Sequence, residues 1–194
     1  MNAILDIIKS RRSIRRYKNE QITEDALAKI LEAGRFAPSG HNNQTAHYVV
    51  IQKRDVLNEL RDIVKGEFAK MDLPEDNHNP MSAAIRLSKA GKYNFMYNPP
   101  TFIIAANKRN YGNAMADCTL GLGYMMLAAN TLNIGTCWIN QLRWLNDNPV
   151  VIEYLKKLGI SETEIVCGSL AVGYADQSNL AAVPIRGNRV DFIR

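Results

Sequence analysis

The chain has 194 residues, 46% hydrophobic and 22% charged, which suits a single globular domain, or one compact domain with an extra lobe; a chain near this size buries roughly 70% of its unfolded surface. Its formal net charge of +5 is mild and the excess sits near the two ends, so charge alone gives no ground for nucleic-acid binding. Cys118, Cys137 and Cys167 are odd in number and none lies at zinc spacing from His41, His47 or His78, which disfavours a disulfide framework or a metal site and makes a reducing cytoplasm the expected location.

The opening "MNAILDIIKSRR" has an acid early and its bases after the apolar part, the wrong order for a secretory signal. Ile4, Leu5, Ile7 and Ile8 mark one face of a short helix. Thr23 caps a second helix, with Glu24 and Asp25 in the first turn where the helix dipole favours acids, and Leu27, Ile30, Leu31 and Gly34 as its buried stripe. "HYVVIQ", 47–52, is a β-branched strand. Asp55 starts a third helix with Val56, Leu57, Leu60, Ile63 and Val64 inward. Residues 72–80, "DLPEDNHNP", are turn formers, and 81–98 is weakly helical until "NPP" breaks it. The stretch 72–98 therefore reads as a mobile lid or excursion over one face, or as a plain surface insertion.

"TFIIAAN", 101–107, is a second strand. Residues 113–133 form a long helix that is apolar nearly all round and must be covered on every side; a second copy of the chain is the expected cover. Asn130 and Asn133 within the apolar run, and Asp117 before it, argue against a membrane span. "IGTCWIN" is a third strand, "DNPVVIEYLKKLG" a helix with Pro149 at its first position and Gly159 past its end, and "EIVCGSLAVGY", 164–174, a fourth strand. "RVDFI" is the candidate last strand. No G-x-G-x-x-G follows a strand and no G-x-x-x-x-G-K-[ST] occurs, which speaks against a Rossmann domain or a P-loop and for an α+β sheet sandwiched by helices.

Two short stretches carry chemistry. "SRRSIRRY", 10–17, follows the first helix at once. Arginine suits phosphate because its planar fork makes bidentate, always-charged hydrogen bonds, and Arg11, Ser13 and Arg15 alternate, so an extended backbone points all three the same way. The alternative is a solvated basic turn. "APSGHNNQ", 37–44, joins a helix to a strand, with Pro38 and Gly40 shaping a turn. Ser39, Asn42 and Gln44 supply polar groups, and Asn and Gln hold both donor and acceptor, as the edge of a heterocycle requires. The alternative is an ordinary loop.

These stretches, read as R-R-S-x-R-x-[FY] and A-P-S-x-x-N-x-Q, resemble motifs of the nitroreductase family of FMN enzymes. The resemblance continues through "DCTLGLGYMMLAANTLNIGTCWIN" and ends with "SLAVGYAD" and "PIRGNRVDFI"; it covers most of the chain and is weakest over 53–98. It implies a three-layer α/β/α sandwich on a mostly antiparallel sheet of four to five strands, one domain over 1–194, with a C-terminal strand offered for exchange between subunits. It further implies FMN as cofactor, NADH or NADPH as hydride donor, and a homodimer with FMN at the subunit interface. The electron acceptor would be a small molecule such as a nitroaromatic, a quinone, a free flavin or an enone, reached by a ping-pong scheme. Neither a nucleic acid nor a membrane is an expected partner. Rival readings within the same fold are a flavin-destroying, dehalogenating or azoline-oxidising enzyme, or a non-catalytic flavin-binding module.

By the same resemblance, Arg11 and Ser13 hold phosphate or ribityl oxygens, Arg12 acts mainly through its backbone, and Arg15 lies near the pyrimidine edge of the flavin. Pro38, Ser39, Gly40 and Asn42 reach a flavin bound mainly to the partner subunit, while Gln44 pins the loop. Trp138, Ile139 and Asn140 pass the working face of the ring, with a backbone N–H of Asn140 or Gln141 aimed at flavin N5; the alternative for Trp138 is buried core packing. Arg186 and Arg189 add charge at the phosphate, or are solvated. Cys137 is a small buried hydrophobe. The family often continues the second motif with Pro-Trp, where this chain has Thr45 and Ala46. Lys92 and Asn94 are the candidates for a ring contact from the middle segment.

Overall fold

Four strands, β1 (His47–Ile51), β2 (Thr101–Lys108), β3 (Gly135–Ile139) and β4 (Glu164–Gly173), form a sheet in the order β1-β2-β4-β3, antiparallel at every pairing. The computed structural model describes residues 3–74, 79–177 and 187–194 of the chain. Its helices are α1 (Ala3–Ser10), α2 (Glu24–Arg35), α3 (Arg54–Lys70), α4 (Pro80–Lys89), α5 (Ala114–Thr131) and α6 (Pro149–Lys157).

Strand side chains alternate between faces, and β2 shows both sides occupied. Phe102, Ile104 and Ala106 enter a core with Leu57, Leu60, Val64 and Phe68 of α3, Ile85 of α4 and Leu155 of α6. Ile103 and Ala105 enter a second core with Ile30 of α2 and Cys118, Leu122 and Met125 of α5. The molecule is thus an α+β sandwich of three layers, with α3, α4 and α6 on one face of the sheet and α2 and α5 on the other. Caps fix the helix starts: Thr23 Oγ1 accepts from the Ala26 N–H at 3.2 Å, Asn79 Oδ1 from the Ser82 N–H at 2.9 Å and Asn148 Oδ1 from the Val151 N–H at 3.0 Å.

The segment after α1 is laid along the free edge of β3. The Ile14 N–H donates to the Thr136 carbonyl at 2.9 Å, Ser13 pairs with Thr136 in parallel sense, and Tyr17 pairs with Ala175 in antiparallel sense. Gly135 makes this approach feasible, since a Cβ there would stand 2.5 Å from Ile14 Cγ1.

Two expectations need correction. "RVDFI" forms no strand within its own chain: residues 187–194 pair with no strand among the described residues, and they leave Val190, Phe192 and Ile193 at 69%, 76% and 100% exposure. A strand cannot form without a second backbone to pair with. Within 72–98, residues 80–98 are built into the molecule rather than laid over it: Ala84, Ile85, Phe95 and Met96 are buried. The helical period there is weak because Ser82 and Ser88 occupy buried positions of α4. Residues 75–78 lie outside the described residues. Among the described residues no helix is long and apolar enough to cross a membrane.

Phe102 is fully buried and meets Phe95 edge to face at 5.8 Å. Phe102→Ala is expected to cost about 3–5 kcal/mol, read as a lowered urea midpoint at fixed protein concentration with an unchanged slope.

Candidate functional site

The arginine segment is anchored to the far end of α5. Asn130 Nδ2 donates to the Ile7 carbonyl at 3.0 Å and to Ser10 Oγ at 2.9 Å, fixing the last turn of α1. The Arg12 guanidinium folds back on that turn, donating to the Arg11 carbonyl at 2.7 Å and the Lys9 carbonyl at 3.0 Å, where a cation complements the helix C-terminus. Its side chain therefore caps α1. Arg11, Ser13 and Arg15 all lie near enough to Cys137 to act on its thiol. Burial pushes the Cys137 thiol up, while Arg15, Arg11 and the Ser13 hydroxyl act in the opposite direction. A cleft of about 210 Å³ opens between Arg11, Arg12, Ile14, Asn130 and Thr136, and among the described residues no carboxylate lines it. Cationic and amide groups without an acid are the setting an anion requires.

Arg15 reaches the middle segment. Its guanidinium stands over the Tyr97 ring at 5.8 Å from the centroid, within cation–π range. Tyr97 and Asn98 both lie in the left-handed region, at φ 64° and 52°. Asn94 holds that turn, its Oδ1 accepting from the Met96 and Tyr97 N–H groups at 3.3 and 3.2 Å. Asn94 thus shapes backbone, Lys92 is exposed, and Tyr97, which the sequence reading missed, is the residue of this segment beside Arg15. The signal was an Asx turn just ahead of Pro99 and Pro100.

At the end of β3, Ile139 is buried in the core and Trp138 packs from the opposite face against the α2–α5 layer. The Trp138 Nε1–H donates to Asn140 Oδ1 at 3.0 Å, and the Asn140 N–H donates to Gln141 Oε1 at 3.1 Å. Gln141 also reaches Tyr93, whose phenol burial pushes up to about 12 while the hydrogen bond from Gln141 pulls it back. The Asn140 N–H is therefore engaged by its own neighbour.

The second motif is anchored to the near end of α5. The Gly40 N–H donates to Asp117 Oδ1 at 3.0 Å, and the Tyr111 hydroxyl lies 3.0 Å from Asp117 Oδ2 and 3.2 Å from the Gly40 carbonyl. The loop is tightly wound: His41, Asn42 and Gln44 all have positive φ, at 52°, 54° and 50°. Gln44 does pin it, through its N–H to Ser39 Oγ and its Nε2 to Asn42 Oδ1, both at 3.0 Å. Pro38, Ser39 and Gln44 line a separate cleft of about 150 Å³ with Asp117. Thr45, in the place where Pro is common, buries a hydroxyl without a hydrogen-bond partner.

The two motifs do not meet within one chain. Their anchors, Asp117 and Asn130, are thirteen residues apart on one helix, which at about 1.5 Å per residue is roughly 20 Å along its axis. In the tail, Arg189 donates to Asp191 at 3.0 Å and is exposed to solvent, and Arg186 lies outside the described residues.

A model of the Nitroreductase family matches residues 8–174. A protein of Archaeoglobus fulgidus, provisionally named an NADH dehydrogenase/NAD(P)H nitroreductase, is 30% identical over 174 residues, covering 90% of this chain and 86% of that one. Among solved structures, a nitroreductase with bound FMN from Bacteroides fragilis superposes with a TM-score of 0.89 at 35% identity, covering 100% of both chains. A nitroreductase with bound FMN from Desulfitobacterium hafniense gives 0.81 at 27% identity, covering 98% of this chain and 100% of the other.

All three cysteines are buried. A thiol reagent at mildly alkaline pH is expected to find no fast-reacting group in the native protein and three after denaturation. A rapidly labelled Cys137 would show that the arginines outweigh burial at that thiol.

Proposed function

The chain belongs to the nitroreductase family, and we propose that it is an FMN-dependent oxidoreductase working as a cytoplasmic homodimer. In this reading it takes hydride from NADH or NADPH and, in a second half-reaction at the same site, passes electrons to a small acceptor such as a nitroaromatic, a quinone or a flavin. The observation that carries the reading is the placement of the two motifs at opposite ends of α5. A two-fold axis that sets two α5 helices antiparallel brings the start of one against the end of the other. The 38–44 loop of one subunit then faces the arginine segment of the other, and two equivalent sites result.

The apolar surface left open supports the same assembly. Ile4, Leu5 and Ile8 of α1 are 70%, 49% and 48% exposed, Leu120 and Tyr124 of α5 are 43% and 44% exposed, and the tail exposes Phe192 and Ile193. Faces of this kind call for cover. The C-terminal segment, without a strand partner among the described residues of its own chain, is proposed to find one on the other subunit.

The residues present fit FMN. Arg11 borders a cleft that no acid among the described residues lines and, with Ser13 two residues on, would hold the phosphate and ribityl oxygens, and Arg12 would add charge from its place on the end of α1. Arg186 and Arg189 would close on the phosphate from the tail. Arg15, steadied by Tyr97, would stand at the pyrimidine edge, where a cation favours the reduced, more negative ring. Bound FMN would supply the hydride-accepting and electron-passing chemistry. Trp138 and Ile139 would fix the backbone beside the ring, and the Asn140 N–H, held by Gln141 Oε1, would trade that acceptor for flavin N5. Pro38, Ser39, Gly40 and Asn42 would read the ring from the partner. No side-chain acid or base is required of the protein.

The purified dimer should carry a flavin absorption band that bleaches with NADPH or NADH under anaerobic conditions and returns on adding a nitroaromatic or quinone. Arg11→Ala should weaken FMN binding by roughly ten- to a hundredfold, the cost of one charged hydrogen bond. A colourless protein that ignores added FMN, or a monomer in light scattering, would end this account.

A further inference from the structure

We propose that Asp117 and Tyr111 are positioning residues that lock the 38–44 loop in the shape in which it serves the flavin of the partner subunit. This inference rests on the functional reading above and adds to it two residues that neither motif contains.

Asp117 is a carboxylate with only 5% exposure, set in the first turn of α5 where the helix dipole favours an anion. Burying a carboxylate is costly unless its oxygens are satisfied, and both are satisfied toward one loop. Oδ1 accepts from the Gly40 N–H at 3.0 Å and Oδ2 from the Tyr111 hydroxyl at 3.0 Å. The Tyr111 oxygen also receives Asn43 Nδ2 at 3.3 Å and lies 3.2 Å from the Gly40 carbonyl. The Gly40 N–H is therefore held by Asp117, while the single Tyr111 hydroxyl proton has the Asp117 carboxylate and the Gly40 carbonyl as its two nearby acceptors.

A side chain at position 40 would force its neighbours to shift. A Cβ at position 40 would stand 2.1 Å from Asn113 Nδ2 and 2.8 Å from the Tyr111 hydroxyl. Around this fixed point His41, Asn42 and Gln44 adopt left-handed backbone, which for non-glycine residues persists only where the surroundings over-determine it. A connection from α2 to β1 has no need of a buried charge or of three strained residues. A loop that must present Ser39, Gly40 and Asn42 to a ligand on another subunit does, because displacement of about 1 Å is enough to spoil such a contact.

The test reads FMN affinity in flavin-free dimers titrated with FMN and followed by flavin fluorescence. Asp117→Ala and Tyr111→Phe are each expected to weaken binding about tenfold or more, the order of one lost hydrogen bond to a charged group. Asp117→Asn, whose amide can still accept from Gly40 and donate to Tyr111, is expected to return affinity to within about threefold of the unaltered dimer. Tyr111→Phe removes a single oxygen, so the test survives if Asp117→Ala fails to fold. The decisive arm uses mixed dimers, one subunit with Tyr111→Phe and the other with Arg11→Ala, separated by different tags. With the loop acting across the interface, one site carries both lesions and the other neither, so one of the two sites regains full affinity. Asp117→Ala and Tyr111→Phe dimers that bind FMN like the unaltered protein would overturn the inference and leave the functional reading standing, whereas mixed dimers with no full-affinity site would overturn the inference together with the shared-site assembly, with FMN binding itself intact. Failure of the unaltered dimer to bind FMN would instead overturn the functional reading and this inference with it.

Discussion

The geometry of this protein is measured out along one helix. α5 holds the 38–44 loop near its first turn through Asp117 and holds the end of α1 near its last through Asn130. Because an α-helix advances by a fixed rise per residue, the separation between those two anchors is set as firmly as a bond length. The arginine segment and the polar loop are kept at the two ends of a rod, each rigid, each incomplete alone. In the proposed dimer a second, antiparallel rod would complete them, and the apolar residues exposed on α1 and α5 are the surface that would bring it there.

Charge is handled differently at the two ends. At the α1 end, Arg11 and Arg12 border a cleft with no acid in it, and Arg12 is spent partly on the carbonyls of its own helix. At the loop end, a carboxylate is buried but takes its hydrogen bonds from a backbone N–H and a phenol. The first arrangement sets positive charge beside a cleft that no acid among the described residues lines. The second uses its charge internally, to hold backbone. That contrast separates residues that would touch a cofactor from residues that place them.

Much of this was legible in the chain. The strands at 47–52, 101–107 and 164–174 and the helix at 113–133 were read within a few residues because each carries an unbroken apolar or β-branched signal. Thr23 and Pro149 announced their helices because caps and first-turn prolines act locally. The alternation of Arg11, Ser13 and Arg15 was read as placing all three on one side, and all three act on the Cys137 thiol. The stretch 80–98 was harder, since Ser82 and Ser88 interrupt its period while still facing the core. "RVDFI" looked like a strand because β propensity is written in the residues, whereas a pairing partner is not.

What the sequence determined by itself was therefore local: the element types, most of their limits, and two clusters of side chains fit for a phosphate and a heterocycle. What only the tertiary structure decided was distance and company: that the clusters lie at opposite ends of α5, that Tyr97 stands beside Arg15, and that Asp117, Tyr111 and Asn130 hold the parts in place. Periodicity and capping act between residues a few positions apart and leave a trace in the order of the chain. A hydrogen bond between Gly40 and Asp117 joins residues 77 positions apart, and nothing in their identity records that the chain returns to bring them together.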